Sequence, residues 1–395
     1  MGEVKAPAMR WVILGVLVLA FMCAFAYAFA ITTPSAVILG KVFNLTDVEV
    51  GYLMMALSIA AAIMSLPSGI ITDKWGVRRA GMLAMALLTV GWLVSGVAPN
   101  YPTLLVGRAI VGLGGVLLSI VGPPALIGWF PPKEIGTAMG IWAVAMPLGL
   151  AWEIPFAGWI MSTYGWQTGY LIGAIFSIIL LLLYAAIVKP GPLLAPPPKA
   201  EAGVKPVRMS EVFRNADVWK FSLSVFFTII TFQSVMTYYA RWLISAKGVE
   251  EGTAYFLAGL IGLMGIIAAP FSGWLSDRLG GRRKLVYLLG VILLIIPLIA
   301  LPYAPAELLI LVTILLGFFT FVIPPHMFSI PTLIVRPELA GLSLGITITF
   351  FYIAGIIGVP LAGTIFESYG FAATTLFLVV CNLIAAALAV LVKAK

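Results

Sequence analysis

Four ionisable side chains, Arg108, Glu153, Arg241 and His326, stand in stretches of this chain that are otherwise almost entirely apolar. A carboxyl in such a place can take up and release a proton, a guanidinium can hold an anion, and an imidazole, titrating unperturbed near ~6.5, can pass protons on. Burying any of them in a membrane helix costs at least ~2.5 kcal/mol on insertion scales, so each is a candidate site. At 1.5 Å per residue, Arg108 and Glu153 fall ~9 and ~12 Å from the same face on consecutive antiparallel helices. Paired, they keep Glu153 ionised; parted, Glu153 favours its neutral acid. Proton coupling requires such a carboxyl, which makes Glu153 the expected proton carrier and Arg108 its modulator. The competing reading is a permanent structural ion pair.

Thr231, Ser234, Tyr238 and Arg241 recur at i, i+3, i+7 and i+10, one face of a helix. A polar stripe faces water or protein rather than lipid. Arg241 is therefore expected to face a cavity and anchor an anionic group, with snorkelling to headgroups as the alternative. His326, the only histidine, follows Pro324 and Pro325, which withdraw backbone hydrogen bonds and are expected to kink their helix, as Pro123 and Pro124 are on the equivalent helix of the first half. It either relays protons or satisfies a freed carbonyl. Tyr27, Trp152 beside Glu153, Phe351 and Tyr352 are expected cavity walls. The expected solute-binding set is thus Tyr27, Arg108, Ser234, Tyr238, Arg241 and Tyr352, and the expected proton-coupling set is Glu153, Arg108 and His326.

The elements that position these groups follow from composition. The chain is 62% hydrophobic and 10% charged, with mean hydropathy +1.12, where a soluble domain is about 25% charged. Twelve spans are expected, at about 11–39, 49–71, 80–98, 103–129, 134–161, 167–188, 218–245, 252–275, 285–303, 307–330, 339–365 and 371–392. Most are long enough for one helical crossing of a ~30 Å hydrocarbon core and too long for barrel strands. The first span is too long, and lacks the cleavage site, for a removable leader. The net charge of +8 is not a nucleic-acid signature. All but four of the 23 Lys and Arg fall on one side of the twelve spans, which places both termini in the cytoplasm. Cys23 and Cys381 lie inside apolar spans and read as packing residues. No phosphate-binding glycine loop and no metal-ligand spacing is present, so no cofactor is expected and any work must draw on stored gradients.

Residues 189–216 break the hydropathy with prolines and positive charge. They are read as a cytoplasmic linker between an N-terminal bundle (1–188) and a C-terminal bundle (217–395). The halves repeat: "SGIITDKWGVRRAG" at 68–81 returns as "SGWLSDRLGGRRKL" at 272–285, and "AGWIMSTYGW" at 157–166 returns as "AGTIFESYGF" at 362–371. Parallel repeats of this kind commonly bracket a solute path.

The doubled pattern carried by Gly69, Asp73, Lys74, Gly76, Arg78 and Arg79, and again by Gly273, Asp277, Arg278, Gly280, Arg282 and Arg283, resembles the signature of the major facilitator superfamily over essentially the whole chain. "GRAIVGLGG" at 107–115 is similar to that family's fourth-helix motif. The fifth-helix antiporter motif is incomplete. The resemblance implies an all-α integral membrane fold of twelve transmembrane helices in two six-helix bundles, with the repeated turns latching a cytoplasmic gate. On this reading Gly69 and Gly273 let helices approach closely, and the charges form a breakable cluster. The expected function is secondary active transport of a small organic anion, proton-coupled, by two rocking bundles. Export of lipophilic or cationic compounds against protons, and a non-transporting receptor, are the alternatives. A monomer in the cell membrane is expected, with solute, protons and lipids as partners.

Overall fold

The computed structural model describes residues 8–131, 134–192, 209–336 and 339–393. Residues 193–208 of the expected linker lie outside the described residues; the short helix Ser210–Arg214 precedes the second half.

The described residues form helices and no strands. Helix α1 covers residues 9–42, built from Met9–Ala20, a π-helical turn Phe21–Ala26, Tyr27–Ala30 and Thr32–Val42. Then follow α2 (47–75) and α3 (77–96), two parts of Asp47–Gly96. Next come α4 (Tyr101–Trp129), α5 (Ile135–Tyr164) and α6 (Trp166–Ile187). The second half holds α7 (Ala216–Lys247), α8 (Glu251–Arg278) and α9 (Arg283–Ala300). Helix α10 (309–334) is Leu309–Val322 and Pro324–Ile334, interrupted at Ile323. Finally α11 (340–369) and α12 (371–390) share Ala340–Val390.

Among the described residues, ten helices are long and apolar enough to span a membrane, two of them 50 and 51 residues long. A straight 50-residue helix would reach about 75 Å, far beyond one crossing. Each instead reverses at a single glycine, Gly76 (φ 74°, ψ 161°) and Gly370 (φ 80°, ψ −173°), a region that side chains cannot enter without strain. Twelve crossings result. The expected loops after the second and eleventh spans thus contract to one residue. The sequence repeat has a backbone counterpart, because Gly280 (φ 74°) stands where Gly76 does and Gly165 (φ 93°) where Gly370 does.

Apolar side chains face outward as well as inward: Ile63, Leu182 and Ile310 are exposed, the arrangement lipid permits and water does not. The two sets of six helices meet along α2 with α11 and α5 with α8. There glycines bring backbones together, since a Cβ at position 262 would lie 2.6 Å from the Ala151 amide nitrogen.

That meeting is one-ended. Among the described residues, every hydrogen bond and ion pair between the two sets lies at the end carrying Asp47 and Arg241. At the opposite end, which carries the repeated charged turns, a Cβ on Gly69, Gly140 or Gly273 would meet nothing within 4 Å. The close helix approach expected at Gly69 and Gly273 is therefore absent from this conformation. Asp73 and Asp277 are exposed, and among the described residues neither makes an ion pair. The neighbouring cations bind locally instead: Arg78 donates to the Ala185 carbonyl at 2.7 Å, and Arg278 lies 5.2 Å from the Trp274 ring centroid.

Candidate functional site

Glu153 sits on α5 with no exposed surface, and neither carboxyl oxygen has a hydrogen-bond partner. Gly149, one turn earlier, leaves the space it occupies. A Cβ at position 149 would stand 2.9 Å from Glu153 Oε2 and 3.1 Å from both the Ala26 Cβ and the Met22 Cγ. The carboxyl therefore rests against the π-helical turn of α1. A π turn holds one residue more than an α turn and recurs at functional sites. Its widened backbone is braced by Trp92 of α3, whose indole N–H donates to the Ala24 carbonyl at 3.2 Å.

Arg108 is fully buried on α4 and does not reach Glu153. Its Nη2 donates to the Ala28 carbonyl at 2.8 Å and the Thr32 hydroxyl at 2.7 Å, and its Nε to the Leu53 carbonyl at 3.4 Å. Nη1 has no partner. The two residues make no ion pair in this conformation, because the guanidinium is taken up by the backbone of α1 and α2. Arg108 thereby pins α4 to α1 just after the π turn, which leaves Glu153 without a counter-charge. Tyr27, in the same part of α1, donates to the Gly169 carbonyl of α6 at 2.9 Å, so its hydroxyl is engaged inside its own half.

The α7 stripe faces protein. Thr231 accepts from the Asn382 amide at 2.6 Å, and Ser234 is buried with no partner. Tyr238 donates to the Asp47 carbonyl at 2.7 Å and stacks on Trp242, centroids 5.7 Å apart. Arg241 lies at the end of the seam that carries Asp47, where it lines a cleft. Its Nε binds the Asp47 carboxylate and its Nη1 donates to the Ala36 carbonyl at 2.9 Å. Lys41 and Glu251 add a more exposed pair between the halves. Beside it Glu250 caps α8, and hydrogen bonds from Thr253 hold its carboxyl below the usual range.

Tyr352 of α11 packs with Ala61 of α2 and Val116 of α4, closing the middle of the seam. Just past the Ile323 interruption His326 is buried, with Nε2 unpartnered; it lies against the Ser272 backbone of α8. It belongs to the charged-turn end and is not gathered with Glu153.

Several polar groups escaped the sequence reading. Gln233 lies one position from Ser234, off the stripe. It donates to the Phe351 carbonyl at 2.9 Å and leaves Oε1 unpartnered, and Ser58 Oγ of α2 is likewise unpartnered. The two meet over Gly355, where a Cβ would lie 2.1 Å from Gln233 Oε1 and 2.3 Å from Ser58 Oγ. An amide inside an apolar span was the available signal. Asp47 was hidden by its place in the first turn of α2, between Thr46 and Glu49 of the capping box, where an acid needs no functional reason.

A family model described as the Major Facilitator Superfamily matches residues 16–358 and again 246–395. The D-galactonate transporter of Escherichia coli O6:H1 is 25% identical over 376 residues, 87% of this chain and 86% of that one. A multidrug resistance protein B homologue of Mycobacterium tuberculosis is 32% identical over 148 residues, 38% of this chain but only 27% of its own length. In three dimensions the chain is similar to a bacterial homologue of the human lysosomal transporter Spinster, crystallised inward-facing and occupied. The TM-score is 0.76 with 16% identity, over 98% of each chain.

Proposed function

The chain belongs to the major facilitator superfamily and is a multi-pass membrane transporter, and from that premise we propose that it moves a small organic anion together with protons, with Glu153 carrying the proton. One observation carries the reading: a carboxyl with both oxygens unpartnered, enclosed against a π turn of α1. A carboxyl enclosed without a counter-charge is stable as the neutral acid, whereas water or a cation at hand stabilises the anion. A helix movement that opens or closes the enclosure therefore loads and unloads a proton. Arg108 positions α1 for that exchange, and its free Nη1 keeps positive potential near the path. Ser58, Gln233 and Ser234 are the polar groups we assign to the solute, beside Tyr352.

The charge bias supports a cytoplasmic position for the repeated turns, both termini and the linker, and we assign the protein to the cell membrane. With that orientation the conformation is inward-facing, closed outside at Asp47 and Arg241. The signature residues Gly69 to Arg79 and Gly273 to Arg283 then form the parted cytoplasmic gate. An acidic sugar as solute is supported by the relative named for D-galactonate.

Export of lipophilic or cationic compounds against protons is the second reading, supported by the multidrug relative and by a buried acid able to hold a cation. Proteoliposome flux separates the two. An inward proton gradient should drive accumulation of small carboxylates, and Glu153→Gln should abolish it while sparing counterflow exchange. Full accumulation by that variant overturns the role of Glu153, and accumulation of amphiphilic cations with no carboxylate movement would favour export.

A further inference from the structure

A cleft of about 230 Å³ opens at the outer end of the seam, lined by Val37 and Lys41 of α1, Asp47 of α2, Arg241 and Ser245 of α7, and Phe366 of α11. It is separate from the Glu153 enclosure and is bordered by the contacts that hold the outside shut. We propose that this cleft is an entry site for a small carboxylate, which displaces Asp47 from Arg241 and thereby releases the outer closure. The inference rests on the organic-anion reading and the orientation given above.

The guanidinium is only partly used. Asp47 engages Nε, Ala36 engages Nη1, and Nη2 has no protein partner among the described residues. Nε and Nη2 form one edge of the guanidinium, the edge that accepts a carboxylate through two parallel hydrogen bonds. A solute carboxylate on that edge makes two bonds where Asp47 makes one.

The exchange leaves no charge stranded. Removing one member of a partly buried pair is costly because the other is orphaned, yet here a carboxylate replaces a carboxylate. The released Asp47 keeps its place in the first turn of α2, where the helix dipole favours a negative side chain. The second pair, Lys41 with Glu251, has 63% and 36% of its side-chain surface exposed. Pairs so exposed resist little, and Lys41 adds a second positive charge to the cleft. Asp47 thus acts as a built-in competitor that keeps the outside sealed until an anion arrives. An uncharged solute lacks the group needed to replace it.

The closure can be read at Thr33, buried in the seam with its hydroxyl bonded to the Met236 carbonyl. In cells expressing the full-length protein with Cys23→Ala, Cys381→Ala and Thr33→Cys, an impermeant maleimide reports outer opening. External small carboxylates, D-galactonate first, should speed labelling by about tenfold, within the range usual for coupling between sites. D-galactose should not. Asp47→Asn should label quickly without solute and gain nothing from carboxylate, while Glu251→Gln should keep the carboxylate response. No acceleration in the parent, equal acceleration by D-galactose, or a carboxylate response retained in Asp47→Asn would each overturn the entry site. Flux of the same carboxylates is measured alongside. Flux with no labelling response removes the entry site alone, whereas no carboxylate flux at all removes the anion reading beneath it.

Discussion

Glu153 and Arg241 were legible as unusual residues because charge in an apolar span stands out, but their partners were not. Sequence spacing put Arg108 and Glu153 at one depth. It carried no information on rotation about the helix axes, and rotation sends the guanidinium to Ala28 and Thr32. Asp47 was invisible for the opposite reason, since a helix start explains it without function. Gly40 shows the same dependence on packing, because a Cβ there would lie 2.1 Å from Arg241 Nη1. The atom displaced is the far end of a flexible side chain, so Gly40→Ala should fold with an unchanged or slightly raised thermal midpoint, alanine being favoured in helices by ~1 kcal/mol. It should nonetheless speed maleimide labelling at position 33 severalfold. Unaltered labelling would show that Arg241 does not hold the closure.

Helix number and order followed from apolar length, and the duplicated motifs announced the repeat. The element boundaries did not follow, because Asp73, Lys74, Arg78 and Arg79 stand inside the ends of α2 and α3, so hydropathy marks a gap wider than the one-residue reversal at Gly76. The positive φ angles of Gly76, Gly165 and Gly370 make a testable demand. Alanine at 165 or 370 should destabilise the protein by ~1–3 kcal/mol each, seen as a lower thermal midpoint in detergent. Gly15→Ala, where a Cβ meets nothing within 4 Å inside an ordinary helix, should not. The π turn of α1 had no signal in "FMCAFA", since nothing in that run breaks a helix. It arises where Trp92 and the Glu153 enclosure receive the widened backbone. The paired prolines read alike in the two halves yet act differently: α10 is interrupted beside Pro324 and Pro325, while α4 runs through Pro123 and Pro124.

Across the whole molecule, the proposed function makes the asymmetry between a sealed end and a parted end a property of conformation, with one sequence encoding both states. The glycines mark the two seams. Gly259 and Gly262 of α8 press on the Ala151 backbone of α5, whereas Gly69, Gly140 and Gly273 are free. Gly262→Val should force α5 and α8 apart, raise labelling at position 33, and slow transport by shifting the balance away from the outer-closed state. Normal flux with normal labelling would mean that this approach is not required for closure.

The central claim, that Glu153 takes a proton across with each solute, is tested most directly by a pH electrode in a weakly buffered proteoliposome suspension. Adding the transported carboxylate without an imposed gradient should alkalinise the outside as protons enter with it, and Glu153→Gln should exchange solute with no pH change. Solute-driven proton movement that persists in Glu153→Gln would contradict the account.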